Sequence, residues 1–199
     1  MTRALTSLTA PQPAFLETQR LILRPLVAED ALSTTPYLTW LQAQHPATQL
    51  TRHGRFPYTI EEAQRYITET HTMMQKHQGI VLAIIAKTSM EHIGNIALTQ
   101  LDWVHRSGEY AIVLGSTAHQ GQGYAYEASA ALLTHGFEKL GLHRIACGTP
   151  ITHEAMCRLA LKLGFQEEGR RKEAFWVNPT TGFVDVVVYG KCQTLHGVV

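Results

Sequence analysis

Seven consecutive positions, Ile80–Ala86 (IVLAIIA), carry no polar side chain. A strand with one wet face alternates polar and apolar residues, whereas a strand covered on both faces does not. The run is far too short to cross a membrane as a helix. It therefore predicts a central strand in a sheet with helices on both faces, which requires flanking strands and amphipathic helices elsewhere in the chain.

The rest of the sequence supplies both. Residues 19–26 (QRLILRPL) alternate until Pro25 stops them, the pattern of a first strand. Residues 27–45 contain short helical pieces broken at Pro36. Thr59 and Glu62 have the spacing of a capping box. The helix behind them places Ile60, Ala63, Ile67, Thr70 and Met74 on one face, with Gly79 expected to end it. Strands are predicted at 80–86, 93–101 and 109–115, then a helix from Tyr124 to about Leu140 with Gly141 beyond it. A strand at 142–149, a helix at 153–163 and two strands around the turn NPTT complete the order. Within the second of these helices Met156, Leu159, Ala160 and Leu163 share a face. No repeat, low-complexity stretch or second-domain boundary is visible, and 199 residues suffice for one core without disulfides or metal.

Composition excludes several classes. A formal net charge of +1 leaves no basic field for nucleic acid. Three cysteines, Cys147, Cys157 and Cys192, are too few and too scattered for a disulfide framework, so a reducing, cytoplasmic setting is expected. No apolar run reaches membrane-spanning length and residues 1–17 lack the layout of a signal peptide, so they read as a flexible tail, with 18–193 as one domain and 194–199 as a second tail. Eleven histidines raise the question of metal, but HEAMC (153–157) is not HExxH and no full ligand set accompanies it, so no metal is expected.

The segment His119–Ala128, HQGQGYAYEA, follows a strand and opens a helix with no side chain suited to cap it. Gly121 and Gly123 permit backbone angles closed to other residues. A bare helix start presents free N–H groups and the positive end of the dipole, which suits a phosphate. The Gly-Lys-Ser/Thr ending of a P-loop is missing, and so is the third glycine of a dinucleotide fingerprint. On spacing alone the loop is either an anion site or a tight strand-to-helix turn.

Gln120-x-x-Gly123-x-Ala125, after a strand and before a long helix, resembles the acyl-CoA loop of the GNAT superfamily of N-acetyltransferases. The resemblance runs over about residues 18–192. GYAYEA (123–128), LGLHRI (140–145) and KLGFQEEGRRK (162–172) are similar to the branch containing ribosomal-protein N-terminal acetyltransferases. YLTWL, RFPYTIEEAQRYI, IGNIALTQLDWVHR, Asp185 and Gly190 are similar to a subgroup acetylating nucleotide-linked amino sugars. The implied fold is the α+β acyl-CoA N-acyltransferase fold, a central, mostly antiparallel mixed sheet with helices on both faces. The implied co-substrate is acetyl-CoA. Its pyrophosphate would lie on the N–H groups of Gln122 to Ala125 at the helix start, within a co-substrate loop of Gln120, Gly121, Gln122, Gly123, Tyr124 and Ala125. Its pantetheine arm would run beside Val113, Leu114 and Gly115, between this strand and a neighbour splayed away from it.

In this superfamily the amine attacks the thioester directly, so a base must take its proton and the departing thiolate needs a hydrogen bond. Glu109, at the start of the strand that would meet the acetyl group, is the first candidate base; a solvated strand-end carboxylate is the alternative. His105, in the loop DWVHR, is the second candidate, or else a surface residue. The ribosomal-type branch usually has Asn where this chain has His153 and Ser where it has Met156. His153 could hydrogen-bond the pantetheine or sulfur, or be a plain helix N-cap residue; Met156 cannot donate a proton and by its helical spacing reads as core. Tyr189 or water is left as the acid. On the acceptor side Trp40, Arg55, Tyr58, Trp103 and Arg106, with Tyr37 and Trp176, could stack on a base or sugar and clamp phosphates, or serve as core anchors. The expected acceptor is a small-molecule amine such as a nucleotide-linked amino sugar. The alternatives are a protein N-terminus, or acyl-CoA binding without catalysis. A homodimer through an exposed strand edge is common in such folds.

Overall fold

The computed structural model describes residues 13–32, 35, 37, 39 and 59–193. Eight strands form one sheet: β1 Leu16–Glu17, β2 Leu21–Pro25, β3 Ile80–Ala86, β4 Glu91–Asp102, β5 Ser107–Leu114, β6 Arg144–Pro150, β7 Gln166–Asn178 and β8 Gly182–Cys192. Three α-helices accompany them among the described residues: α1 Ile60–Gln75, α2 Tyr124–Glu138 and α3 Glu154–Lys162. The sheet order is β1-β2-β3-β4-β5-β6-β8-β7. Leu16 and Glu17, expected to close a flexible tail, instead pair with Leu23 and Ile22 of β2. Residues 1–12 and 194–199 lie outside the described residues.

The apolar run is explained by two cores. Leu82, Ile84 and Ala86 of β3 pack in one cluster with Ala128, Leu132 and Leu133 of α2 and Met156 and Ala160 of α3. Val81, Ala83 and Ile85 pack in the other with Ala63 and Ile67 of α1. Side chains alternate across a strand, so each half of β3 has its own helix layer and no position can be polar. Filling both layers removes water from a large apolar area, at roughly 25 cal/mol per Å².

The capping box of α1 forms as expected. Thr59 Oγ1 accepts from the Glu62 N–H and the Glu62 carboxylate accepts from the Thr59 N–H, both at 3.2 Å. Its far end differs from expectation. His77, with φ of 54°, takes the left-handed position rather than Gly79. The Gln78 N–H donates to Met73 O and the His77 N–H to Met74 O, each at 3.0 Å. This is a Schellman closure, and it works with histidine because the carbonyls of the last turn must be satisfied whatever residue supplies the turn.

Every strand pairing is antiparallel except β5 with β6. That parallel pairing covers only Ser107–Glu109 against Arg144–Ala146. Beyond it β5 continues to Leu114 beside β4, and β6 continues to Pro150 beside β8, without pairing to each other. The sheet therefore forks after Glu109.

Candidate active site

Gly121 and Gly123 have φ of 73° and 82°, both in the left-handed region. Gly123 is the N-cap of α2 and has no capping side chain, as its sequence suggested. The first backbone bond of the helix is the Glu127 N–H to Gly123 O, at 3.1 Å. The N–H groups before it have no acceptor inside the helix, and they converge at the positive end of its dipole.

A clamp from the turn between β1 and β2 holds this loop. The Glu127 carboxylate accepts from Thr18 Oγ1 at 2.6 Å, from the Arg20 N–H at 2.9 Å and from Arg20 Nε at 2.6 Å. Arg20 Nη1 donates to Gln122 O at 3.0 Å, and its guanidinium lies 4.3 Å from the centroid of the Tyr124 ring. Burial raises the Glu127 pKa, but the hydrogen bonds from Thr18 and Arg20 outweigh it and hold the carboxyl below its ordinary value. Nothing local marks Arg20 for this role, since it contacts Glu127 across 107 residues of sequence.

The fork opens into a cleft of about 850 Å³. One wall is β5 from Tyr110 to Leu114; the other is Gly148, Thr149 and Pro150 of β6, with Phe175 and Val186 beyond. Gln120, Gly121, Gly123, Ala125 and Tyr126 close one end, and α3 borders it through His153, Met156 and Lys162 among others. His153 is the N-cap of α3, with Nδ1 3.3 Å from Thr149 Oγ1. Burial lowers its pKa, so the imidazole is neutral at pH 7. Tyr189 is buried on β8 opposite Cys147, and burial followed by the neighbouring Cys157 pushes its phenol up to about 12. Burial also pushes the Cys147 thiol up to about 12, assisted by Cys157 and Glu109, which makes it a poor nucleophile.

Of the residues expected to hold the co-substrate, Val113, Leu114, Gln120, Gly121, Gly123, Ala125 and His153 line this cleft. Three others do not. Gly115 is buried and donates its N–H to Ile93 O at 3.0 Å, closing onto β4. Gln122 folds its side chain back to Ala118 O at 2.6 Å. The Tyr124 ring is buried under Arg20. The Leu114 carbonyl accepts from Gln120 Nε2 at 3.1 Å.

Glu109 is exposed, accepts from Gln100 Nε2 at 2.9 Å, and is the last β5 residue paired to β6, at the vertex of the fork. Strand alternation turns it away from Tyr110, whose hydroxyl meets Ser129 of α2, and toward the α1 side of the sheet. His105 is not brought to the cleft. It sits exposed in the β4–β5 turn, its N–H donating to Asp102 Oδ1 at 2.8 Å, at the end of β5 opposite the opening. Four residues lie between it and Tyr110, and the strand itself, from Ser107 to Tyr110, takes roughly 10 Å of that path. Trp103 and Arg106, expected at the acceptor, serve the same turn. Trp103 Nε1 donates to His77 O at 2.8 Å, and Arg106 Nε donates to Gly141 O at 2.7 Å. Tyr37 is buried and stacked on His92, with centroids 4.9 Å apart, and is a core anchor. Trp176 packs edge-on against Phe183 on the outer hairpin. Trp40, Arg55 and Tyr58 lie outside the described residues. Among the described residues no group of three or more His, Cys, Asp or Glu is placed to hold a metal ion, and no helix is long and apolar enough to cross a membrane.

A forked sheet with a glycine-capped helix at the fork defines a recognisable class. Residues 20–166 match the family model of the acetyltransferase (GNAT) domain. The chain is 32% identical over 169 residues to the uncharacterized N-acetyltransferase YoaA of Bacillus subtilis (strain 168), covering 83% of this chain and 90% of that one. It is 27% identical over 124 residues to a spermidine N(1)-acetyltransferase of Vibrio cholerae, covering 61% and 71%. The fold matches that of RimL, a ribosomal L7/L12 alpha-N-protein acetyltransferase in complex with coenzyme A, with a TM-score of 0.78 at 19% identity over 90% of this chain and 98% of that one. It also matches the microcin C7 self-immunity acetyltransferase MccE in complex with acetyl-CoA and AMP, with a TM-score of 0.74 at 19% identity over 88% and 94%. The chain belongs to the GNAT acetyltransferase family and is an N-acetyltransferase.

Proposed function

We propose that the cleft binds acetyl-CoA and that the enzyme transfers the acetyl group directly to the primary amine of a small molecule. The observation that carries this is the fork. It leaves one edge of β5 unpaired over the length of the cleft and ends at an uncapped helix start. A pantetheine arm can pair with that edge as an added strand would. A pyrophosphate can take the free N–H groups between Gly121 and Ala125. RimL and MccE, which share the fold, were solved with coenzyme A and acetyl-CoA.

With the donor on the α2–α3 side, its thioester lies near the vertex and the amine approaches from the α1 side, where Glu109 stands. The neutral amine forms the new N–C bond, the C–S bond breaks, and the amine proton passes to Glu109 directly or through a water. Alignment of two bound substrates supplies much of the acceleration. Neutral His153 can donate an N–H to the departing thiolate. Met156, buried beside it where the related branch has Ser, cannot.

Spermidine in the name of a 27% identical relative favours a small amine over a protein N-terminus. A nucleotide-linked amino sugar is a narrower form of the same reading. Of its expected clamps, Trp103 and Arg106 are engaged in the β4–β5 turn.

Titration calorimetry with acetyl-CoA, followed by thiol release over a panel of polyamines, amino sugars and N-terminal peptides, tests this reading. One-to-one binding and release with a small amine are expected. Acetyl-CoA at a hundred times its Kd should add about 2.7 kcal/mol to the folded state. Glu109→Gln should lower kcat by about a hundred-fold or more with little change in acetyl-CoA affinity. Turnover unchanged in Glu109→Gln would remove it from the mechanism; release with peptides alone would replace the small-amine reading.

A further inference from the structure

Two cations border the loop end of the cleft and have no part in the transfer step. Arg158 and Lys162 lie four residues apart on α3, hence on one face, and both line the cleft together with Tyr126. Lys162 Nζ stands 4.7 Å from the centroid of the Tyr126 ring. Tyr126 is the third residue of α2, so the ring that holds the ammonium springs from within one helical turn of the glycine loop. Lys162 forms no ion pair with a carboxylate among the described residues. Arg158 pairs with Glu154 at 3.0 Å, but those side chains are 71% and 78% exposed. Such a pair is weak and exchangeable.

This inference rests on the assignment of the cleft to acetyl-CoA. We propose that Lys162 and Arg158, set over Tyr126, bind the ribose 3′-phosphate of coenzyme A and make the enzyme select it over the 3′-dephospho form. Coenzyme A presents a 5′-pyrophosphate and a 3′-phosphate on one nucleotide, separated by the width of a furanose ring. The backbone N–H groups of the loop suit the bridging pyrophosphate, which is approached edge-on by donors without side chains. They leave the terminal 3′-phosphate to be neutralised by something else. Among the described residues the acidic groups nearby leave Lys162 without a carboxylate partner, and Glu154 competes with a phosphate only through its exposed pair with Arg158. Glu127 is held on the β2 side by Thr18 and Arg20. Glu154 lies two helical turns from Lys162, at the other end of α3. Lysine is a compact charge suited to a phosphate, and the Tyr126 ring restricts its stem before the ligand arrives.

The test is titration calorimetry with coenzyme A and with 3′-dephospho-coenzyme A, which needs no knowledge of the acceptor. The parent enzyme should bind coenzyme A about ten-fold or more tightly over the dephospho form, the effect of one charge-assisted contact. Lys162→Gln, which keeps the stem over Tyr126, should lose most of that preference while its affinity for the dephospho form stays unchanged. Arg158→Ala should lose a smaller part, and Lys162→Arg should retain it. Equal affinity of the parent for both ligands overturns the proposal and leaves the acetyl-CoA assignment standing. An equal loss for both ligands in Lys162→Gln also overturns it, by placing the cation on the pyrophosphate. Failure of the parent to bind either ligand overturns the acetyl-CoA assignment and this proposal together.

Discussion

Gly123→Asp is expected to fold as the parent does and to lose coenzyme A binding by a hundred-fold or more. The backbone there sits at φ 82°, ψ 2°. Aspartate visits this left-handed region more readily than most residues. An added Cβ would meet only Arg20 Nη2, at 3.5 Å, an ordinary contact. The new carboxylate can pair with that guanidinium, so the fold survives. The ligand does not fare as well. Two unit charges about 5 Å apart at an effective dielectric of about 20 repel by about 3 kcal/mol, which is roughly a hundred-fold in affinity. Gly123→Ala separates charge from strain. It should cost about 1–2 kcal/mol of stability for a Cβ in the left-handed region, with binding kept to within about ten-fold. Calorimetric titration reads the binding and thermal melting reads the fold. An aspartate variant that binds as the parent does would mean that these N–H groups never meet a phosphate.

The glycine loop was legible because its signals are local. Two glycines, a missing cap and a preceding strand lie within a few residues, and each has one backbone consequence. The layered sheet was legible from IVLAIIA for the same reason. The Arg20 clamp was not, because a polar residue leading an alternating strand looks like any solvent-facing position. Only the folded chain shows it crossing to Glu127 and to the Gln122 carbonyl. Lys162 and Arg158 were hidden similarly, as the polar face of an amphipathic helix whose other face was read as core.

The turn residues show the opposite error. Trp103, His105 and Arg106 drew attention because aromatic and basic side chains in loops suit ligands. Two of them instead satisfy carbonyls left over by their neighbours, His77 O at the end of α1 and Gly141 O before β6. Backbone acceptors at element ends must find donors, and residue type alone does not say whether a donor serves a ligand or the chain. The fork itself, which the family resemblance implied, depends on pairing that stops at Glu109 and Ala146. No side-chain pattern in either strand marks that point, since both strands remain paired on their outer edges.

Asp30→Ala should be the most destabilising single change outside the apolar cores, at about 3–5 kcal/mol in urea unfolding. The Asp30 carboxylate takes Arg24 in a two-point grip, Nη1 to Oδ2 and Nη2 to Oδ1, each at 2.8 Å. It also accepts the Val27 N–H at 2.9 Å and lies 3.6 Å from His92 Nδ1. The Arg24 and Asp30 side chains are only 17% and 8% exposed. Removing the acid strands a guanidinium that cannot reach water freely, and that stranded charge is the larger part of the cost. Burial alone would raise the Asp30 pKa, but Arg24, His92 and Val27 outweigh it and hold the carboxyl well below the usual carboxylate value of 3.8. A depressed folded pKa contributes stability that is complete above the unfolded pKa and is lost as pH falls below it. The gap between parent and Asp30→Ala should therefore be constant from about pH 7 to 5 and narrow steadily below about pH 4. Replacing both partners, with Arg24→Met and Asp30→Leu together, should recover much of the loss, because an apolar pair leaves no charge to desolvate. A single-variant loss under about 1 kcal/mol, the range of an exposed pair, would show that Arg24 finds water without its acid.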